Sequence, residues 1–248
     1  MIHSFLLIGQ SNMAGRGKMD EAHQIDNTHI NILRNGRWQR MFRPINPDRP
    51  FSGVSLAESF AEKYASENGV DVGLICCADG GTSLDQWKRG GVLFDNAVYQ
   101  TELAKRTSVV CGILWHQGEA DCGVELCSTY KERFETFVND LREAADLENV
   151  PLLIGGMGDF LVKCPLDDNL KNSPEMNKVL EQIASDDELI SFVPATGLGS
   201  NEDLLHFSAD ALYDFGLRYY EKYAEFGFEA GNVSLSDNDD KRTEMEAL

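Results

Sequence analysis

The sequence is short of positive charge. Its 248 residues carry 22 Lys and Arg against 41 Asp and Glu, a net charge of −19. Such a chain repels phosphate backbones and anionic lipid, which excludes nucleic acid and membrane surfaces as expected partners. Long apolar runs are also missing. No stretch of 18 hydrophobic residues occurs, so no apolar helix long enough to cross a bilayer is expected. With 7 prolines and 22 glycines, the composition is neither collagen-like nor low-complexity. The six cysteines, at 76, 77, 111, 122, 127 and 164, show no C-x-x-C or zinc-ribbon spacing. Cys76, Cys77 and Cys111 lie in apolar runs and read as buried thiols acting as small hydrophobes. Cys122 and Cys127 flank a loop and are close enough in sequence to pair. The opening Met1-Ile2-His3-Ser4-Phe5-Leu6-Leu7-Ile8-Gly9 lacks a basic leader and a small-residue cleavage site. It reads as a first strand rather than a signal peptide, and a reducing, cytoplasmic setting is expected.

What is present is a rhythm. Continuous apolar runs at 5–8, 70–77, 109–115, 150–154 and 189–193 read as strands buried on both faces. Between them, helical spacing appears at 55–66, 128–145, 172–184 and 209–223, with Ser208 placed to cap the last helix. Alternating strands and helices argue for one α/β domain, residues 1–228, around a parallel sheet with helices on both faces. Residues 17–53 are irregular apart from a short strand expected at 29–33, and are expected to form part of a pocket wall. Residues 229–248 hold six acids and two bases and read as a solvated, disordered tail.

Ligands of open parallel sheets bind beyond the carboxyl ends of the strands. Four polar clusters stand at such positions. In Gly9-Gln10-Ser11-Asn12-Met13-Ala14-Gly15, Ser11 is either an exposed nucleophile or the N-cap of a helix. Met13 rules out the G-x-S-x-G elbow, and the spacing is not that of a P-loop. In Asp79-Gly80-Gly81-Thr82-Ser83, paired glycines let backbone amides approach a ligand, or simply make a turn. Asp79, and the lack of Lys or Arg before Lys88, speak against a phosphate loop.

The third cluster is Trp115-His116-Gln117-Gly118-Glu119-Ala120-Asp121. Here the Gln117 amide can donate to a developing oxyanion. His116, Glu119 and Asp121 are a competing metal set, and a hydrogen-bonded turn is the plain alternative. In Asp203-Leu204-Leu205-His206, a carboxylate three residues away can orient an imidazole base. Glu202 and Asp210 are rival partners for His206, and a surface Asp with a capping His is the bland alternative. Together the clusters supply a nucleophile, an oriented base and oxyanion donors, the roles of acyl transfer by a serine hydrolase.

The strings G-Q-S-N-M-A-G, D-G-G-T-S, W-H-Q-G-E-A-D and D-L-L-H resemble the SGNH hydrolase superfamily. More narrowly, they resemble the sialate O-acetylesterase and acetyl xylan esterase branch of carbohydrate esterases, from about residue 4 to residue 220. The resemblance implies Ser11 as nucleophile, His206 as general base and Asp203 as its orienting acid. It implies an oxyanion hole made of the Ser11 and Gly80 amides and the Gln117 side chain, with Gly81 the alternative to Gly80. Glu119 is then a scaffold of its loop, and Gln10 a further substrate or scaffold candidate. The implied fold is a flavodoxin-like, three-layer α/β/α sandwich around a five-stranded parallel sheet.

The implied activity is hydrolysis of O-acetyl esters of a small sugar or oligosaccharide, of sialate or xylo-oligosaccharide type, without metal or cofactor. Trp87, more than Trp38 or Phe160, is the expected platform for a sugar ring. Asp79 departs from the small apolar residue usual in the branch, which is expected to alter the charge of the pocket. Three other readings share these residues: an esterase or thioesterase for non-sugar acyl groups, a non-catalytic carbohydrate-binding relative, and a flavodoxin-like nucleotide or flavin carrier.

Overall fold

The structure, a computed structural model, describes residues 1–230. The expected acidic tail therefore falls, from residue 231 onward, outside the described residues. Seven strands form one sheet: β1 (Ile2–Gly9), β2 (Ile30–Arg34), β3 (Arg37–Arg40), β4 (Asp71–Cys76), β5 (Ser108–His116), β6 (Leu152–Gly155) and β7 (Ile190–Val193). Their order is β3-β2-β4-β1-β5-β6-β7. All neighbours run parallel except β3, which pairs antiparallel with β2. The helices are α1 (Ser11–Ala14), α2 (Ala57–Asn68), α3 (Val92–Ala104), α4 (Val124–Ala145), α5 (Ser173–Asp186) and α6 (Ala209–Ala224).

All five expected apolar runs are strands, and the short strand expected at 29–33 is β2. The sheet is nevertheless larger than the expected five strands and not wholly parallel. The added pair sits at one edge, where burial is partial. Arg37-Trp38-Gln39-Arg40 of β3 has exposed ends and a half-buried middle, so it carries no apolar run to read. Helix α3 also escaped the periodicity. Its buried face is Phe94, Ala97, Thr101 and Ala104, while Val92 and Tyr99 point outward. Small residues inside and large apolar residues outside hide the amphipathic stripe. Ser208 does cap α6, its hydroxyl accepting from the Ala211 amide at 3.2 Å.

Strand alternation divides the core into two layers. Trp115 points to one face and packs edge-on against Trp87 and Phe134 and, tilted, against Phe137 of α4. The next residue, His116, points to the opposite face and meets Phe207 and Phe215 of α6. On that second face Phe5 packs against Phe60, Tyr64 and Tyr223, joining β1 to the α2–α6 pair. Among the described residues no helix is long and apolar enough to cross a membrane.

The first layer yields a test. Phe134 is fully buried between Trp115, Tyr130 and Phe137. Phe134→Ala should lower unfolding free energy by about 3–5 kcal/mol, read from the urea midpoint at constant m. An unchanged midpoint would contradict the packing described.

Candidate active site

β1 lies between β4 and β5, where the sheet divides into its two halves, and a crevice forms at such a switch point. The loops leaving β1, β4 and β5 are the first three polar clusters. Gly9 ends β1 at φ +122°, and a Cβ there would stand 2.2 Å from the His116 carbonyl oxygen. Only glycine permits this approach. The Gln10 amide then donates to that same carbonyl at 2.8 Å, and the chain turns into the single turn of α1 with Ser11 first.

Three side chains meet there across 195 residues of sequence. Ser11 Oγ lies 3.1 Å from His206 Nε2, and His206 Nδ1 lies 2.6 Å from Asp203 Oδ2. With Nδ1–H donated to the carboxylate, Nε2 presents its lone pair to the serine hydroxyl. The other Asp203 oxygen accepts the Leu205 and His206 amides at 2.9 and 3.0 Å. This tight turn requires Leu204 at φ +53°, a strain on the order of 1–3 kcal/mol for a leucine. Burial pushes the Asp203 carboxyl upward, but the two amides and the imidazole outweigh it and hold the group below its ordinary value. The rivals are engaged elsewhere: Glu202 pairs with Lys18 at 3.3 Å and Asp210 with His23 at 2.7 Å.

Asn12 ties these parts together, a role that sequence reasoning missed. Its Nδ2 donates to Glu119 Oε1 at 2.6 Å and to the Leu205 carbonyl at 3.3 Å. Its Oδ1 accepts the Phe207 amide at 3.1 Å. A polar residue on the buried helical turn directly after Ser11 was the available signal. Glu119 also meets His116 Nε2 at 3.3 Å. Burial pushes its carboxyl up, but the imidazole and the Asn12 amide hold it below its ordinary value.

The competing metal set does not assemble. Asp121 is turned away to Gln117, the Leu84 amide and Arg133. Among the described residues no group of three or more His, Cys, Asp or Glu could hold a metal ion.

Two of the expected oxyanion donors have other partners in the structure. Gln117 is fully buried, and its amide hydrogens go to the Thr82 carbonyl at 3.1 Å and Asp121 Oδ2 at 2.6 Å. Its oxygen accepts from the Tyr130 hydroxyl at 2.8 Å, so no donor is left for a substrate. The Gly80 amide donates to Asp48 Oδ2 at 2.9 Å. By contrast, neither the Ser11 nor the Gly81 amide has a hydrogen-bond partner among the described residues.

Gln10 is buried, with Oε1 accepting the Ala120 amide at 3.4 Å. Trp87, expected as a sugar platform, is wholly inside the core and donates to Thr82 Oγ1 at 3.2 Å. Trp38 bonds Thr107 on the sheet edge, and Phe160 packs edge-on against Phe207. Cys122 and Cys127 are free, buried thiols.

The irregular segment meets the turn after β4 through Asp48, which accepts the Gly80 amide at 2.9 Å. Arg16 holds Asp48 with two hydrogen bonds, at 3.0 and 2.7 Å, both side chains being almost fully buried. Asp79, expected to alter the charge of the pocket, is paired with Arg49 at 2.8 Å. Burial pushes the Asp48 carboxyl up; Arg16, Ser52 and the Gly80 amide outweigh that and hold it below its ordinary value.

Fold and family together define a carboxylic ester hydrolase. The chain belongs to a carbohydrate esterase family, described as sialic acid-specific acetylesterase, whose model matches residues 1–225. It is similar to an Arabidopsis thaliana protein named "Probable carbohydrate esterase", with 26% identity over 246 residues, 88% of this chain and 89% of the relative. A crystal structure from Arabidopsis thaliana superposes with a TM-score of 0.78 at 24% identity, covering 90% of this chain and 98% of that one. The structure of NanS superposes with a TM-score of 0.71 at 16% identity, covering 91% and 97%.

Two substitutions test these placements. Gln117→Ala strips partners from Asp121, Thr82 and Tyr130, and should destabilise the fold by about 1–3 kcal/mol in a thermal melt. The soluble fraction should lose far less than the roughly 100–1000-fold in kcat typical of an oxyanion donor. Asp48→Asn should destabilise by on the order of 3 kcal/mol near neutral pH, because Arg16 loses its charge partner. A carboxyl held low in the folded state stabilises above its unfolded value, and that stability is lost as pH falls through the lower, folded value. The gap between wild type and Asp48→Asn in urea midpoint should therefore persist at pH 5 and close only below about pH 4.

Proposed function

We propose that the protein hydrolyses O-acetyl esters of carbohydrates through an acetyl-enzyme on Ser11. The observation that carries this reading is the continuous chain Ser11 Oγ, His206 and Asp203 at the switch point of the sheet. As Ser11 Oγ bonds to the acetyl carbonyl carbon, its proton passes to His206 Nε2. Asp203 stabilises the imidazolium and keeps its proton on Nδ1. The oxyanion is met by the Ser11 amide, with the Gly81 amide rather than Gly80 as the second donor. The ester C–O bond then breaks, and the sugar oxygen leaves with the proton from His206. Water attacks the acetyl-enzyme with His206 as base, releasing acetate and restoring Ser11.

The substrate class rests on the family match and on the names of the neighbours, one of them a carbohydrate acetylesterase from Xanthomonas citri. A sialate or xylo-oligosaccharide acetate fits it, as a free sugar or a short oligosaccharide. The test is acetate release from p-nitrophenyl acetate and from a panel of acetylated sugars. Ser11→Ala should abolish turnover, and Asp203→Asn should lower kcat by about 1000–10000-fold. Activity that survives in Ser11→Ala would remove the serine mechanism. Turnover of the nitrophenyl ester with no sugar acetate accepted would favour an esterase for non-sugar acyl groups.

A further inference from the structure

Residues 46–54 form a strap across the ends of β1 and β4. Asn46 Nδ2 donates to the Ala78 carbonyl at 2.9 Å, and Asp48 accepts the Gly80 amide. Arg49 Nη2 donates to the Gly80 carbonyl at 2.8 Å. The Gly53 amide donates to the Gly15 carbonyl at 3.0 Å, and Val54 and Gly17 form a two-residue bridge. Within the strap, the Ser52 amide donates to the Arg49 carbonyl and the Arg49 amide to Ser52 Oγ, closing a turn. A segment pinned at this many points is held still.

This turn presents Phe51, which is 70% exposed. Single exposed apolar side chains are ordinary on a protein surface. Here, however, the aromatic ring lies over Arg16, at the end of the Ser11 motif. The Arg16 guanidinium carbon lies 5.3 Å from the ring centroid, and that guanidinium is itself fixed by Asp48 and the Gly15 carbonyl. The same guanidinium abuts the turn after β4: a Cβ on Gly80 would stand 2.4 Å from Arg16 Nη2. Arg16 thus contacts both the Phe51 ring and the Gly80 turn. The ring is steadied by a cation and leaves apolar surface open to solvent. Trp87, Trp38 and Phe160, by contrast, are all occupied in packing.

We infer that Phe51 determines specificity by lying against the C–H face of the pyranose ring whose acetyl group is delivered to Ser11. The inference rests on the proposed carbohydrate acetylesterase reading. Aromatic surface suits the apolar face of a sugar, and a preset ring loses little conformational freedom on contact. The contact is made alike in ground state and transition state, so it acts on KM rather than on kcat.

The test compares a mono-O-acetyl methyl xylopyranoside with ethyl acetate, which has no ring to stack. Phe51→Ala should raise KM for the xylopyranoside about 5–50-fold with kcat within about twofold, and leave ethyl acetate turnover unchanged. Phe51→Trp should restore the sugar KM and Phe51→Leu should not. In a Ser11→Ala background, calorimetry with the same xylopyranoside should show a parallel loss of affinity on Phe51→Ala, independent of turnover. An unchanged KM and affinity, or an equal loss on both esters, overturns the role of Phe51. Wild type that cleaves ethyl acetate but neither binds nor cleaves sugar acetates overturns the carbohydrate reading itself.

Discussion

The contact between Gly9 and His116 governs the site. Parallel pairing sets Gly9 opposite His116, and the chain can turn away from β1 there because no side chain intervenes. That turn places Ser11 at the carboxyl edge of the central strand, with the β4 and β5 loops on either side. A side chain at position 9 would push the two strands apart at the point where Ser11 is presented.

Two buried polar assemblies brace this arrangement from opposite sides. On one side Asn12 joins the Ser11 turn to Glu119 and to the 205–207 backbone, so Ser11 and His206 are registered through a shared amide. On the other, the Arg16–Asp48 pair joins the end of the Ser11 motif to the Gly80 turn. Buried charges are costly unless paired and hydrogen-bonded; Asp48 accepts from Arg16, Ser52 and the Gly80 amide, and Glu119 from Asn12 and His116 on one oxygen. The strain at Leu204 is sustained because its flanking residues are held by Asp203, Asn12 and the Ser200–Phe207 bridge.

The donors show how a motif and its geometry can part. Gln117 and Gly80 stand in the strings that pointed to an oxyanion hole. Gln117 lies inward, where Tyr130, Thr82 and Asp121 satisfy its amide completely. Gly80 is met by a carboxylate from a segment with no secondary-structure signal of its own. A buried amide takes whichever partners the fold brings to it, and for Gly80 and Gln117 these include Asp48 and Thr82, 32 and 35 positions away in sequence.

The sequence by itself determined the strand-and-helix rhythm, the polar strings at the strand ends and the pairing of Asp203 with His206. These rest on local causes: apolar runs long enough to be buried, glycine-flanked polar strings at their ends, and a carboxylate and an imidazole three residues apart. Only the tertiary structure decided the edge strand β3, the helix α3 with its small-residue face, and the roles of Asn12, Arg16, Asp48 and Phe51. Their partners come from distant segments, and the register between those segments is set by packing of the whole sheet. No local pattern records which buried amide a distant carboxylate will reach.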